Sequence, residues 1–282
     1  MTSARQTPPP TGPAGPQPFL KWAGGKRHLI AQMLPHLPER FGRYHEPFLG
    51  GGALFFFLSR RLGRRHAFLA DSNPRLVRTY LGLRDDPERV MRLLKSYPHD
   101  RQFFLEMRAQ PVDQLSNAEI AAWLIYLNKT AYNGLYRVNS RNVFNVPFGD
   151  YVRPKICDEP TLRACAASLR RARIEQLDFE AAALRAEPGD LVYFDPPYVP
   201  LSSTSSFTSY TSQGFGPEDH RRLRDLALLL KERGVSVLVS NSSARSVRGL
   251  YAEGFVLTRL SARRSINSRI DQRGRISELL MH

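Results

Sequence analysis

The sequence predicts an α/β fold: an open, mostly parallel sheet with an antiparallel pair of strands at its C-terminal edge and a helical insertion partway along the chain. Three observations carry that expectation. Short, mostly apolar runs at residues 67–70, 191–194 and 235–240 lie between turn signals, as strands covered on both faces do. Amphipathic helical stretches separate them, and a glycine-rich turn at Gly50-Gly51-Gly52 leads from a strand into one such helix. From residue 74 to residue 130 the strand pattern is lost, and apolar positions recur at helical spacing instead.

A chain of 282 residues can bury a sizeable core in one or two domains. Its 42% hydrophobic and 24% charged content is ordinary for a globular protein. The charge balance is not: 41 Lys+Arg against 26 Asp+Glu gives a formal net charge of +15, which points to a polyanionic partner. The excess is spread along the chain, densest late at residues 259–275, so it is more than a basic tail. Arginine outnumbers lysine, which suits bidentate contacts to phosphate and guanine, although a GC-rich genome produces the same bias. The two cysteines, Cys157 and Cys165, fit neither a metal knuckle nor a disulfide framework. No apolar run approaches membrane-spanning length, and the N-terminus lacks a signal-peptide core. A cytoplasmic protein without a membrane partner or a metal is expected.

Taken in order, residues 1–18 are rich in proline and small polar residues and read as a disordered leader. Residues 19–26 place two glycines and Lys26 before an amphipathic segment, so a loop should enter a helix near residue 27 and approach an anion there. An ordinary helix-start turn reads the same way. The glycines at 50–52 precede an apolar helix, and the strand at 67–70 ends on Asp71. Asp71 lies about twenty residues after Gly50, the offset at which an acid reaches ribose hydroxyls in nucleotide-binding units. Pro87, Pro98 and Pro111 punctuate the helical stretch that follows. Residues 128–141 combine amides, aromatics and arginine around an Asn-Gly turn, suited to reading bases or to forming a solvated loop.

Beyond the insertion, a helix at 162–171, a strand at 172–176 and the strand at 191–194 restore the sheet pattern. The Ser-rich stretch after Tyr198, residues 199–212, reads as a mobile flap over a site, or as a surface loop. An amphipathic helix follows, with Pro217 near its start and Gly234 at its end. The strand at 235–240 is of the parallel type, and residues 255–260 and 276–281 form the final pair. Their connection, residues 261–275, is basic and suits phosphate contacts.

The chemistry concentrates at Asp195-Pro196-Pro197-Tyr198. The prolines have no N–H and hold the backbone extended, so a carboxylate, its neighbouring carbonyls and an aromatic ring stand rigidly at a strand's carboxyl end. Two acceptors and an aromatic face suit an exocyclic amino group on a nucleobase. Accepting its N–H bonds stabilises positive charge developing on nitrogen, while the ring stacks on the base. A strand ending in an ordinary Asp-Pro turn is the competing reading of these four residues alone.

Together the motifs resemble one family. FLKWAGGK at 19–26, EPFLGGG at 46–52, Asp71, YNGLYR at 132–137, FNVPFG at 144–149, DPPY at 195–198 and RRSI at 263–266 look like those of the Dam family of adenine-N6 DNA methyltransferases, in the family's order and over residues 19–282. The resemblance implies a Rossmann-like methyltransferase sheet. Its catalytic domain would comprise residues 19–75 and 156–282, and a helical target-recognition domain residues 76–155. It further implies S-adenosyl-L-methionine as methyl donor, S-adenosyl-L-homocysteine as product, double-stranded DNA as partner, and GATC as target. Asp195, Pro196 and Tyr198 would be catalytic. Trp22, Lys26, Phe48, Gly50, Gly52 and Asp71 would hold the cofactor, with Asp195 at its border.

Lys21, Leu135, Arg137 and Tyr151 match positions that read or flank the target bases. Tyr132 and Asn133 would fill the space left by the flipped adenine, and Arg263 and Arg264 would meet DNA. A monomer in solution, able to pair on DNA and associated with the nucleoid, is expected. Solitary and restriction-linked enzymes share these motifs. Pro74 and Arg75, and the segment between Asn139 and Asn142, depart from the family pattern. Transfer to cytosine N4 or to RNA uses similar acceptor geometry, and a non-catalytic DNA-binding relic would lack some of these site residues. A dinucleotide oxidoreductase would need a different glycine loop.

Overall fold

A computed structural model describes residues 15–63, 66–199, 215–263 and 275–282. In chain order the elements are α1 (Ile30–Met33), β1 (Tyr44–Glu46), α2 (Ala53–Leu62), β2 (Ala67–Asp71), α3 (Pro74–Asp85), α4 (Pro87–Ser96), α5 (Arg101–Ala109) and α6 (Asn117–Thr130). They continue with α7 (Glu159–Leu169), β3 (Ala172–Gln176), α8 (Phe179–Ala183), β4 (Leu191–Phe194) and α9 (Pro217–Glu232). The chain ends with β5 (Ser236–Ser242), α10 (Arg245–Tyr251), β6 (Leu257–Arg263) and β7 (Arg275–Met281).

The strands form one sheet in the order β3-β2-β1-β4-β5-β7-β6. The first five run parallel, and β7 lies antiparallel to both β5 and β6. The expected mostly parallel sheet with a C-terminal antiparallel pair is the one observed. The chain builds outward from β1 through β2 to β3, then returns to place β4 on the other side of β1. Strand order therefore reverses between β1 and β4, and the crevice at their carboxyl ends is where such sheets bind ligands.

Burial explains the apolar runs. All of β4 is buried, with Leu191 and Tyr193 packed in one core and Val192 and Phe194 in the other. This two-residue alternation turns a continuous apolar strand into the floor of two layers. One layer includes Leu54, Leu76, Tyr80, Trp123 and Leu162, so helices α3 to α6 share their core with the sheet. The opposite layer is built from Phe179, Leu223, Leu230, Val247 and Tyr251.

Helix α6 is enclosed almost all round, with Ile120, Trp123, Leu124, Ile125 and Tyr126 buried. A reciprocal capping box between Ser116 and Glu119 starts it. Truncating Trp123 to alanine there would cost about 3–5 kcal/mol.

Three local differences from expectation have simple causes. Residues 27–29 form turns, so α1 is a single turn that begins at Ile30. Helix α10 is unexpected because its seven residues, Gly249 among them, are too few and too mixed to show a period. Strand β1 has only three residues, below the length at which periodicity is visible. Residues 1–14 of the 1–18 leader, nearly all of the 199–212 flap, and residues 264–274 of the basic loop lie outside the described residues. Gln17 is described and lies against α7, its carbonyl accepting from Cys165 Sγ at 3.0 Å. Among the described residues no helix is long and apolar enough to cross a membrane.

Candidate active site

Asp195 leaves the end of β4 into the crevice, followed by buried Pro196 and exposed Pro197. The loop is held from β5: the Val199 N–H donates to Asn241 Oδ1 at 3.1 Å, and the Ser242 hydroxyl donates to the Val199 carbonyl at 2.7 Å. With both backbone groups of Val199 tied, Asp195 and Tyr198 sit on a stiff segment. Lys26 reaches them from the N-terminal loop. Its Nζ lies 2.9 Å from Asp195 Oδ1, 3.8 Å from Glu278 Oε2 and 4.5 Å from the centre of the Tyr198 ring, and it donates to the Gly24 carbonyl.

The Tyr198 hydroxyl donates to Glu278 Oε2 at 2.6 Å. Asp195 Oδ1 is paired with the Lys26 ammonium, one donor to a carboxylate with room for about four. It is a buried acceptor with capacity to spare. Burial raises the Asp195 pKa to about 6, against the pull of Lys26 and with the Glu278 charge adding to the rise.

The second wall comes from β1 and β2. Glu46 ends β1 fully buried and accepts from the Tyr44 hydroxyl at 2.9 Å; burial pushes its carboxyl up to about 8. The glycine turn follows. Gly50 has a φ of +46°, and a Cβ there would lie 3.0 Å from Trp22 Cδ1, so only glycine lets the indole rest on this backbone. Asp71 braces the turn, accepting from the Gly50 N–H at 3.0 Å and the Asn73 N–H at 2.9 Å. Burial raises the Asp71 pKa, against these N–H groups. The Phe48 ring joins an aromatic nest, 5.3 Å from Phe179 and 5.6 Å from Phe215. Trp22, Lys26, Phe48, Gly50, Gly52, Asp71 and Asp195 thus lie on the N-terminal loop and the loops and strand ends at the carboxyl edge of β1, β2 and β4.

Residues expected to read bases gather beside this crevice. Asn128, buried near the end of α6, accepts from the Lys21 N–H and donates to the carbonyls of Lys21 and Gly134, each at 2.8 Å. A Cβ at Gly134 would lie 2.7 Å from Lys21 Cδ, so this turn needs glycine for the lysine to pass. Lys21 is thereby brought against the Tyr132–Gly134 turn. Beyond it, bridges between Val138 and Phe144 and between Ala131 and Phe148 fold the chain back on itself. Tyr132 and Tyr151 stand 44% and 36% exposed on this segment. Leu135 packs partly buried, and Asn133 adopts a φ of +54°.

The Arg137 guanidinium is exposed and oriented by Asn145, with Nε 2.7 Å from its Oδ1 and Nη2 3.2 Å from its carbonyl. Trp22 stacks on Tyr136 at 5.3 Å, which joins the N-terminal loop to this segment. Arg263 ends β6, and Arg264 falls outside the described residues.

Sequence reasoning missed several of these parts. Glu278 could have been suspected as an acid in the otherwise apolar run at 276–281. Asn128 and Asn241 gave no signal. The two departures from the family pattern meet in space: Arg75, capped into α3 by Asn73, pairs bidentately with Asp113 at 2.8 Å and donates to the Asn142 carbonyl at 2.6 Å. Among the described residues no group of three or more His, Cys, Asp or Glu could hold a metal ion.

Residues 22–266 match the family model described as D12 class N6 adenine-specific DNA methyltransferase. The chain is 40% identical over 273 residues to a Type II methyltransferase of Lactococcus lactis subsp. cremoris, covering 94% of each. It is 36% identical over 268 residues to a DNA adenine methylase of Vibrio cholerae serotype O1, covering 93% of this chain and 94% of that one. With the DNA adenine methylase of Escherichia coli (strain K12) it shares 34% identity over 266 residues, covering 93% of each. The chain belongs to the D12 class of N6 adenine-specific DNA methyltransferases.

Proposed function

We propose that this protein transfers a methyl group from S-adenosyl-L-methionine to N6 of an adenine extruded from duplex DNA, within GATC. The observation that carries the reading is the Asp195 carboxylate at the carboxyl end of β4, held 2.9 Å from Lys26 Nζ with the Tyr198 ring over the same ammonium. An amino group presented there would add a donor to this carboxylate. By accepting an N–H, Asp195 draws density onto the nitrogen as attack begins, and the rigid Asp195-Pro196 backbone adds a carbonyl acceptor. Tyr198 stacks on the base. Lys26 covers one face of its ring and keeps Asp195 paired, favouring the ionised form.

The crevice suits the cofactor on three counts. The glycine turn takes positive φ at Gly50 and Gly52, Asp71 at the end of β2 would take the ribose hydroxyls, and the Asp195 and Glu278 carboxylates would face the sulfonium. When bound, S-adenosyl-L-methionine supplies an electrophilic methyl group and leaves as S-adenosyl-L-homocysteine. Trp22, Lys26, Phe48, Gly50, Gly52 and Asp71 hold it, and Asp195 borders it.

The amino group is inaccessible within a duplex, so the adenine is flipped at a cost of a few kcal/mol. Residues 76–155 act as the target-recognition unit. Arg137 of that unit and Lys21 of the N-terminal loop, flanked by Leu135 and Tyr151, read bases, while Tyr132 and Asn133 occupy the vacated stack. Arg263, Arg264 and the general positive charge attract the backbone without regard to sequence.

The test is plasmid DNA methylated by the purified protein, digested with GATC-cleaving enzymes of opposite methylation sensitivity and hydrolysed for nucleoside mass spectrometry. N6-methyladenine with GATC protection is expected. Methylation at N4 of cytosine would overturn the chemistry, and N6-methyladenine with unprotected GATC would overturn the target alone.

A further inference from the structure

We infer that Glu278, on β7, is a positioning residue of the methyl-transfer site, which holds the Tyr198 ring through its phenol and shares the Lys26 ammonium with Asp195. The inference rests on the site reading proposed above and assigns a part of the sheet that the reading leaves unused. Glu278 pairs with Ser242 of β5 and with Leu260 of β6, so its backbone is fixed from both sides. Leu279, Leu280 and Met281 beside it are buried. A carboxylate in such a strand costs desolvation energy, and an apolar residue of similar size would serve the sheet at least as well. What it gains is specific: the Tyr198 hydroxyl at 2.6 Å and Lys26 Nζ at 3.8 Å.

The charges around Asp195 make the arrangement testable. Lys26 faces it from the N-terminal loop, Tyr44 and Glu46 from β1, Tyr193 from β4, Tyr198 from its own loop and Glu278 from β7. At neutral pH the three tyrosines are un-ionised, since burial drives each well above its ordinary value, and the Glu46 carboxyl, pushed up to about 8, is mostly protonated. Lys26 favours the Asp195 carboxylate, and Glu278 opposes it. Removing the Glu278 charge therefore moves Asp195 ionisation to lower pH.

Single-turnover methyl transfer by the wild type, Glu278→Gln and Glu278→Ala, at saturating DNA and cofactor from pH 5 to pH 9, tests this. The acid limb of the rate profile should move down by about one pH unit in both variants, as for loss of a nearby like charge. Glutamine can still accept from the Tyr198 hydroxyl, so its plateau should stay close to wild type, whereas Glu278→Ala should lose roughly tenfold through the loosened ring. In a Tyr198→Phe background, Glu278→Ala should lower the plateau no further, because the shared contact is already gone. A thermal melt confirms that each variant is folded, and Glu278→Gln alone suffices should the alanine variant not fold. An unmoved limb in folded Glu278→Gln, or an undiminished alanine effect in the Phe background, overturns the inference. Absence of adenine methylation by the wild type would instead overturn the functional reading beneath it.

Discussion

Replacing Asn128 with alanine is expected to damage stability and DNA recognition together. Asn128 is 3% exposed, and its amide makes three hydrogen bonds of 2.8 Å, to the Lys21 N–H, the Lys21 carbonyl and the Gly134 carbonyl. Alanine leaves one donor and two acceptors without partners, and an orphaned buried group costs about 1–3 kcal/mol. Lys21 lies close enough to solvent for water to repair part of the loss, so the low end applies to each group. The sum is roughly 3 kcal/mol, a large fraction of a domain's stability.

The same bonds tie the N-terminal loop, which carries Lys21, Trp22 and Lys26, to the turn that precedes Arg137. Displacing that loop by about 1 Å should lower kcat/KM on DNA roughly 10²-fold. Urea denaturation and steady-state methylation of a duplex oligonucleotide measure the two effects. An unchanged denaturation midpoint with unchanged kcat/KM would refute the assignment of Asn128 as the joint between the two regions.

Arg137→Ala should lose about 1–3 kcal/mol of discrimination at one base pair and begin to methylate near-cognate sites, read as rates on GATC and its single-base variants. A uniform loss on all sequences would make Arg137 a phosphate contact. Asp71→Ala should weaken S-adenosyl-L-methionine binding by roughly 1.5–3 kcal/mol in calorimetry if its carboxylate also takes the ribose hydroxyls, and unchanged affinity would leave it only as a brace for Gly50.

Glu46 bears on stability and pH. Its folded pKa of about 8 lies above the ordinary 4.5, so the native state binds the extra proton, and stability falls as pH rises between those values. Glu46→Gln should therefore lose less melting temperature than wild type between pH 6 and pH 9, and parallel losses would contradict this.

Much of the architecture was legible because burial on both faces writes a continuous apolar run. Strands β2, β4 and β5 and the final pair were readable from residues alone, and the reversal between β1 and β4 puts Gly50 and Asp195 on one edge. The order of motifs along the chain carried the family. What escaped reading is tertiary. Glu278 matters only because β7 inserts antiparallel between β5 and β6, opposite a loop some eighty residues earlier. Asn128 looks like any amide at a helix end until Lys21 arrives beside it. Arg75, a departure from the family pattern, finds its partners in the Asp113 carboxylate and the main-chain carbonyl of Asn142. No local pattern encodes such a contact.

Asp195 can be tested most directly by single-turnover transfer of a labelled methyl group to duplex DNA, comparing wild type with Asp195→Ala under saturating cofactor, alongside DNA affinity at fixed salt. Loss of the preorganised acceptor should slow transfer by about 10²–10³-fold. DNA affinity should stay near wild type, since the carboxylate adds no attraction to phosphate. An alanine variant that keeps a tenth or more of the wild-type rate would contradict the role given to Asp195.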